Sequence, residues 1–172
     1  MAIKIAVVNE SKNNETRVAV VPEIAQKLSS NNVTFSIEKN SGAASGFLDS
    51  DYPENACSFF DVASEALKDA DVLFKVNPPT SEEIGYMKKG ALAVSYMSPF
   101  QSGELIKNMA SSGIDAFSVE LIPRISRAQS MDALSSQASI AGYKAVILAP
   151  NNANKLFPML TTAAGTVRPA PT

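Results

Sequence analysis

Apolar runs of strand length, separated by stretches of helix length, decide what this 172-residue chain can fold into. Ile3 to Val8, Val33 to Glu38, Asp71 to Val76, Ala91 to Met97 and Asp115 to Ile122 each read as a strand. The run at Ile3 is too apolar to carry a solvated face, as expected of strands covered on both sides. Val33 to Glu38 alternates Val, Phe and Ile with Thr, Ser and Glu, giving one wetter face. Between these runs lie segments with helix signals. Pro22 and Glu23 open a helix reaching about Asn31, with Ile24, Ala25 and Leu28 inward. Pro53 starts a short helix. Asp61 caps another with Val62, Ala66 and Leu67 inward. Thr80 or Ser81 caps a fourth that ends at Gly90, and Gly103 to Ser111 forms a fifth, ended by Gly113. Strand and helix in alternation argue an α/β fold: a three-layer, flavodoxin- or Rossmann-like domain with a mostly parallel sheet. Right-handed crossovers then gather the polar strand-end loops on one edge, where Arg17, Lys75 and Arg124 are expected to converge.

Several chemistries are excluded before any motif is considered. The chain has no histidine and one cysteine, so Ser-His-Asp and Cys-His catalysis are out and a zinc site is not expected. Cys57, beside Phe59 and Phe60, reads as a buried apolar residue, and a single cysteine fits a reducing compartment. A net charge of −2 gives no sign of nucleic-acid or membrane-surface binding. No apolar run reaches the roughly 20 residues of a membrane span, and the first residues are already strand-like, without a signal peptide. The loop Ser41 to Gly46 is small-residue and flexible, matching neither a P-loop nor a G-x-G-x-x-G fingerprint. Lys75, near the end of an apolar strand, is either a snorkelling edge residue or a cation facing a ligand.

The chemistry-bearing stretch is Pro123 to Gln137. It follows the last strand and runs into a long helix, so its polar residues fall where open α/β sheets bind ligands. Ser126 and Gln129 read as a capping box with Ser126 at the N-cap. Met131, Leu134, Ala138, Ala141, Ala145 and Leu148 repeat at helical spacing, with Gly142 among the small residues. A second stripe, Gln129, Asp132, Ser135, Ser136, Ser139 and Tyr143, is polar. Asn151 to Asn154 reads as the helix break. The Pro- and Gly-marked remainder reads as an extended connector, giving a domain over 1–125 and a helix with connector over 126–172.

The segments Asn14 to Ala19, Leu73 to Val76, Pro123 to Gln137, Ala141 to Ala145 and Thr162 to Val167 together resemble the N-terminal portion of the alpha subunit of proton-translocating NAD(P) transhydrogenase. More distantly they resemble the N-terminal domain of alanine dehydrogenase. The resemblance covers essentially the whole chain. It implies hydride transfer between NAD(H) and NADP(H), coupled to proton translocation. Arg124, Gln129 and Asp132 would be the catalytic set, and Arg124, Asp132 and Ser135 would contact NAD(H). NADP(H) would sit on a partner domain. The implied partners are an NAD-binding Rossmann domain absent from these residues, NADP(H)-binding and membrane subunits, and a second copy in a homodimer, without nucleic acid. The implied location is cytoplasmic, peripheral to the inner membrane. In the same resemblance, the Gly-rich fingerprint would follow the Ala-Ala-Gly-Thr-Val segment, so residues 1–172 are expected to be a fragment, inactive alone. An alanine dehydrogenase-like oxidoreductase and a non-catalytic assembly domain are the alternatives. The former family uses a histidine where this chain has Tyr96, although Arg17 and Lys75 match its cations.

Overall fold

The computed structural model describes residues 2–154 and 156–169, so Lys155 and the last three residues of the expected connector lie outside it. The chain divides into two compact units, Met1–Ile122 and Pro123–Thr172.

The first unit is a six-stranded sheet, all of whose pairings are parallel. Its strands are β1 (Ile3–Val7), β2 (Val33–Glu38), β3 (Cys57–Phe60), β4 (Val72–Phe74), β5 (Leu92–Ser95) and β6 (Asp115–Ser118). Their spatial order, β3-β2-β1-β4-β5-β6, is that of the doubly wound Rossmann fold rather than of flavodoxin. The order reverses between β1 and β4, and the register Ile5 to Val72, Ala6 to Leu73 and Val7 to Phe74 joins the two halves there.

Period-two alternation splits the strand residues between two cores, one on each face. On one face Ala6, Val8, Leu73, Ala93 and Met97 pack with Leu67, Ile84 and Met109. These belong to or flank helices α2 (Ala63–Leu67), α3 (Ser81–Tyr86) and α4 (Gly103–Ser112). On the other face Ile5, Val7, Phe35, Ile37 and Cys57 pack with Val20, Ala25, Tyr52 and Ala56. Here the cover comes from α1 (Pro22–Ser29) and the irregular chain between β2 and β3. The expected three-layer α/β architecture is present.

Several local expectations are corrected. β3 is a strand that the sequence does not announce, because four residues, Cys-Ser-Phe-Phe, show too little alternation. Pro53 does not open a helix. Its carbonyl accepts from the N–H groups of Ala56 and Cys57, a turn that feeds β3. Asp61 caps nothing: α2 has Val62 at its N-cap without a side-chain bond, and Asp61 instead pairs with Lys39 at 2.7 Å. Val62 and Ile24 are exposed rather than inward. α3 stops at Tyr86, short of Gly90, while Gly113 does end α4 in the left-handed conformation. The last strand ends at Ser118, and Val119–Leu121 is a 3-10 turn. Its Glu120 carboxylate binds the Met97 and Ser98 N–H groups, which draws the chain out of the extended form.

The second unit holds a 3-10 segment (Ser126–Met131), helix α5 (Ala133–Asn152) and an antiparallel hairpin of β7 (Leu160–Thr162) and β8 (Gly165–Val167). The extended connector is therefore partly a hairpin, turned at Ala163 and Ala164 just before Gly165, whose φ of +124° an L side chain rarely adopts. Pro150 sits in the last turn of α5, and the helix ends at Asn152, within the break expected at Asn151 to Asn154.

Candidate functional site

Ser126 is not the N-cap of the long helix. Residues 126–131 wind as a 3-10 segment, and Asp132 is the N-cap of α5. A carboxylate is a stronger acceptor than a serine hydroxyl for the free amides at a helix start. Asp132 Oδ1 accepts from the Ser135 N–H at 2.9 Å, and Oδ2 accepts from the Ser135 hydroxyl at 2.6 Å. These two bonds hold the Asp132 carboxyl below the usual carboxylate range, the Ser135 hydroxyl first and its amide next, with Arg124 assisting. Arg124 Nε lies 3.8 Å from Asp132 Oδ2 and remains largely exposed. Arg124, Ile125, Ser126, Gln129 and Asp132 line an open hollow of about 250 Å³.

The four residues singled out by sequence are thus neighbours. Asp132 is fixed from the helix side by Ser135, Arg124 faces its outer oxygen, and Gln129 borders the same hollow. Chemically this is a planar cation with its donor fork, an amide with donor and acceptor, and an ionised carboxylate. Further along α5, Ser136 and Ser139 donate their hydroxyls to the carbonyls of Asp132 and Ser135, so these two serines are spent on the helix itself.

The other candidate cations lie in the first unit. Lys75 follows β4 and is only 6% exposed; its Nζ pairs with Glu83 at 2.8 Å and donates to the Pro78 carbonyl at 3.4 Å. Glu83 is simultaneously the N3 residue of a capping box with Thr80 at the start of α3. Arg17 forms two parallel bonds to Glu15, at 2.9 and 2.8 Å. The Arg17 side chain holds the Glu15 carboxyl down to about 2, aided by Asn77. Both cations are committed to carboxylates of the chain. Tyr96, one residue past β5, is half-buried.

Sequence reasoning passes over the carboxylates that tie the strand ends. Glu10 is 5% exposed and accepts from the Val76 and Asn77 N–H groups at 2.7 and 2.9 Å, and from the Asn77 side chain at 3.1 Å. Glu38, also buried, accepts from the Asn9 N–H at 2.8 Å. A glutamate in a polar loop carries no signal of burial. Its placement at the end of a buried strand is the only available hint.

A doubly wound parallel domain followed by a polar helix start and a long helix is the class defined here. Residues 6–141 match the family model described as alanine dehydrogenase/PNT, N-terminal domain, and the chain belongs to that family. It is 40% identical over 169 residues to the first section of the NAD(P) transhydrogenase alpha subunit of Rickettsia prowazekii, covering 96% of this chain and 44% of that protein. The same-named protein of Rhodospirillum rubrum is 36% identical over 98% of this chain and 45% of its own length. Among solved structures, the transhydrogenase from Sinorhizobium meliloti superposes with a TM-score of 0.89 at 41% identity, over 97% of this chain and 50% of that one. An L-alanine dehydrogenase is more distant, with a TM-score of 0.65 at 28% identity over 70% of this chain and 33% of that one. The chain therefore spans about half the length of the transhydrogenase relatives it matches here.

Proposed function

We propose that this chain belongs to the NAD(H)-binding subunit of a proton-translocating NAD(P) transhydrogenase. The observation that carries the reading is the grouping of Arg124, Gln129, Asp132 and Ser135 at one helix start, in a chain this similar to transhydrogenase alpha subunits. In this reading residues 1–125 are the scaffold, and 126–172 lead toward a nucleotide-binding Rossmann domain. NADP(H) is held by a partner domain.

The residues fit one end of a dinucleotide. A hollow of about 250 Å³ lies below the ~300–1,000 Å³ of ordinary small-molecule pockets, so it admits a ring and its carboxamide rather than a whole nucleotide. Arg124 and Gln129 offer N–H donors to a carboxamide oxygen, and Asp132 offers an acceptor to its NH₂. When bound, NAD(H) supplies the hydride. Direct transfer between two nicotinamides needs no general acid or base, only proximity and orientation. Ser135 holds the Asp132 carboxylate still, and Asp132 in turn orients Arg124. An alanine dehydrogenase-like reaction, which must move a proton from the amine, finds no histidine in this chain.

A homodimer is included in the same proposal. α5 runs for 20 residues without a buried one, and Ile140, Tyr143, Val146, Ile147 and Leu148 are all exposed. An apolar helix of that kind needs a cover, and a second copy is the occupant a subunit assembly offers. Among the described residues no helix is long and apolar enough to cross a membrane, so membrane attachment would run through partner subunits, with the chain on the cytoplasmic side.

The decisive test uses a longer protein that joins this chain to the second half found in its relatives. Arg124→Ala is expected to slow hydride transfer roughly 10- to 100-fold while weakening NADH binding less than about fivefold. Loss of binding with an unchanged rate for the bound complex would sink the assignment of Arg124.

A further inference from the structure

In open α/β sheets the ligand crevice lies outside the strand ends where the strand order reverses. In this chain that place is between β1 and β4. The N–H groups just past β4 belong to Val76 and Asn77, and both point at one carboxylate. Glu10 Oε1 accepts from Val76 and Oε2 accepts from Asn77, so each oxygen takes one of two consecutive amides. The Asn77 side chain adds a third donor to Oε2. Glu10 is buried, and its segment leaves β1, the strand on the other side of the crevice.

The neighbouring strand ends repeat the arrangement. Past β1, the Asn9 N–H is taken by Glu38 from the end of β2. Past β5, the Met97 and Ser98 N–H groups are taken by Glu120, which follows β6 and also receives the Ser118 hydroxyl. At three strand ends, amides of the kind that receive a ligand's phosphate in other doubly wound domains are satisfied by a glutamate from the chain itself.

We propose that the crevice between β1 and β4 is an oxyanion site whose occupant is the chain's own Glu10 carboxylate. Removing that side chain opens the site to a small free carboxylate or phosphate. Two consequences follow from the geometry. The native unit admits no nucleotide phosphate at its own switch point, because the donors are used and three carboxylates line the edge. A planar two-oxygen anion fits the vacated donors better than a tetrahedral one, since each oxygen met one amide.

The test is anion rescue in the full chain. Glu10→Ala leaves buried N–H groups unpaired and is expected to lower the melting temperature by on the order of 10 °C. Millimolar to molar formate should restore a saturable share of that loss, acetate and phosphate less, and chloride at equal ionic strength none. The unsubstituted chain should respond to none of them beyond the chloride control. A Glu10→Ala protein indifferent to formate, acetate and phosphate overturns the proposal, as does equal rescue of the unsubstituted chain. If Glu10→Ala does not fold in any of these salts, Glu10→Gln decides. The amide proton resonances of Val76 and Asn77 should then move upfield together, since a neutral side chain is a weaker acceptor, and unchanged resonances refute the site.

Discussion

Burial and pairing, not residue type, separate the charged side chains that hold the fold from those free to meet a ligand. Glu15 illustrates the first kind. Its carboxyl sits at about 2 rather than 4.5, mainly through the Arg17 side chain and against the opposing effect of its own desolvation. A folded pKa below the unfolded one contributes stability that is present above about pH 4.5 and is lost as pH falls from there to about 2. With solvent screening the contribution is on the order of 2 kcal/mol. Urea unfolding at pH 7, 4 and 3 should therefore show the unsubstituted chain losing stability across that window, whereas Glu15→Gln is weaker at pH 7 and loses less. Lys75 is a second case. Its ammonium is enclosed by Glu83 and the Pro78 carbonyl, so it ties the end of β4 to the start of α3. Lys75→Met should cost roughly 2–4 kcal/mol by leaving Glu83 without its cation, and Lys75→Met with Glu83→Gln should cost less than that single change. Additive losses in a denaturation cycle would mean that the two residues do not act as a pair. Sequence alone leaves Lys75 open between a snorkelling and a ligand-facing role, because alternation places the residue but not its partner. Glu83 is eight residues away, across a turn made by two prolines.

Element boundaries are legible where one residue dominates the local energetics and are obscured where a distant group intervenes. Pro22 opens α1, Thr80 caps α3 and Gly113 closes α4, each as its intrinsic preference demands. The last strand is shorter than its apolar run because Glu120 turns back to the amides past β5, a contact 22 to 23 residues distant in sequence. The start of α5 lies several residues beyond the expected one because Ser126 and Asp132 both qualify as caps, and only the structure shows which amides each can reach. Asp132→Ala should accordingly fray the first turn of the helix. Backbone amides of residues 133–136 would exchange with solvent roughly fivefold faster, while those of β1 and β4 keep their protection. Unchanged exchange at 133–136 would show that the cap is not what holds that turn.

At the scale of the whole molecule, the parallel α/β architecture is readable because buried strands and amphipathic helices carry different periods. The Rossmann strand order is not, since sequence spacing says little about which strands lie side by side. The candidate site is readable only through the long Pro123–Gln137 motif. Its polar residues alone are indistinguishable from a solvated helix face. What the described unit does not supply is a cradle for pyrophosphate. Nucleotide-binding turns place glycines at a strand-to-helix junction so that the backbone can approach the phosphates. Here the turn after β1 is Asn-Glu-Ser-Lys-Asn-Asn, and the crevice beside it is filled by Glu10. A dinucleotide is left with the few polar contacts of the hollow at Arg124 and Gln129, and a hydrogen bond of this kind is worth roughly 0.5–1.5 kcal/mol net, somewhat more where charged. Immobilising the ligand offsets several kcal/mol of that sum. Residues 1–172 alone should therefore bind NADH no tighter than the millimolar range, on the order of −4 kcal/mol. Calorimetric titration measures this directly. Heats that fit a micromolar dissociation constant would mean that a phosphate cradle exists in these residues, and that the hollow at Arg124 is not where the nucleotide is principally held.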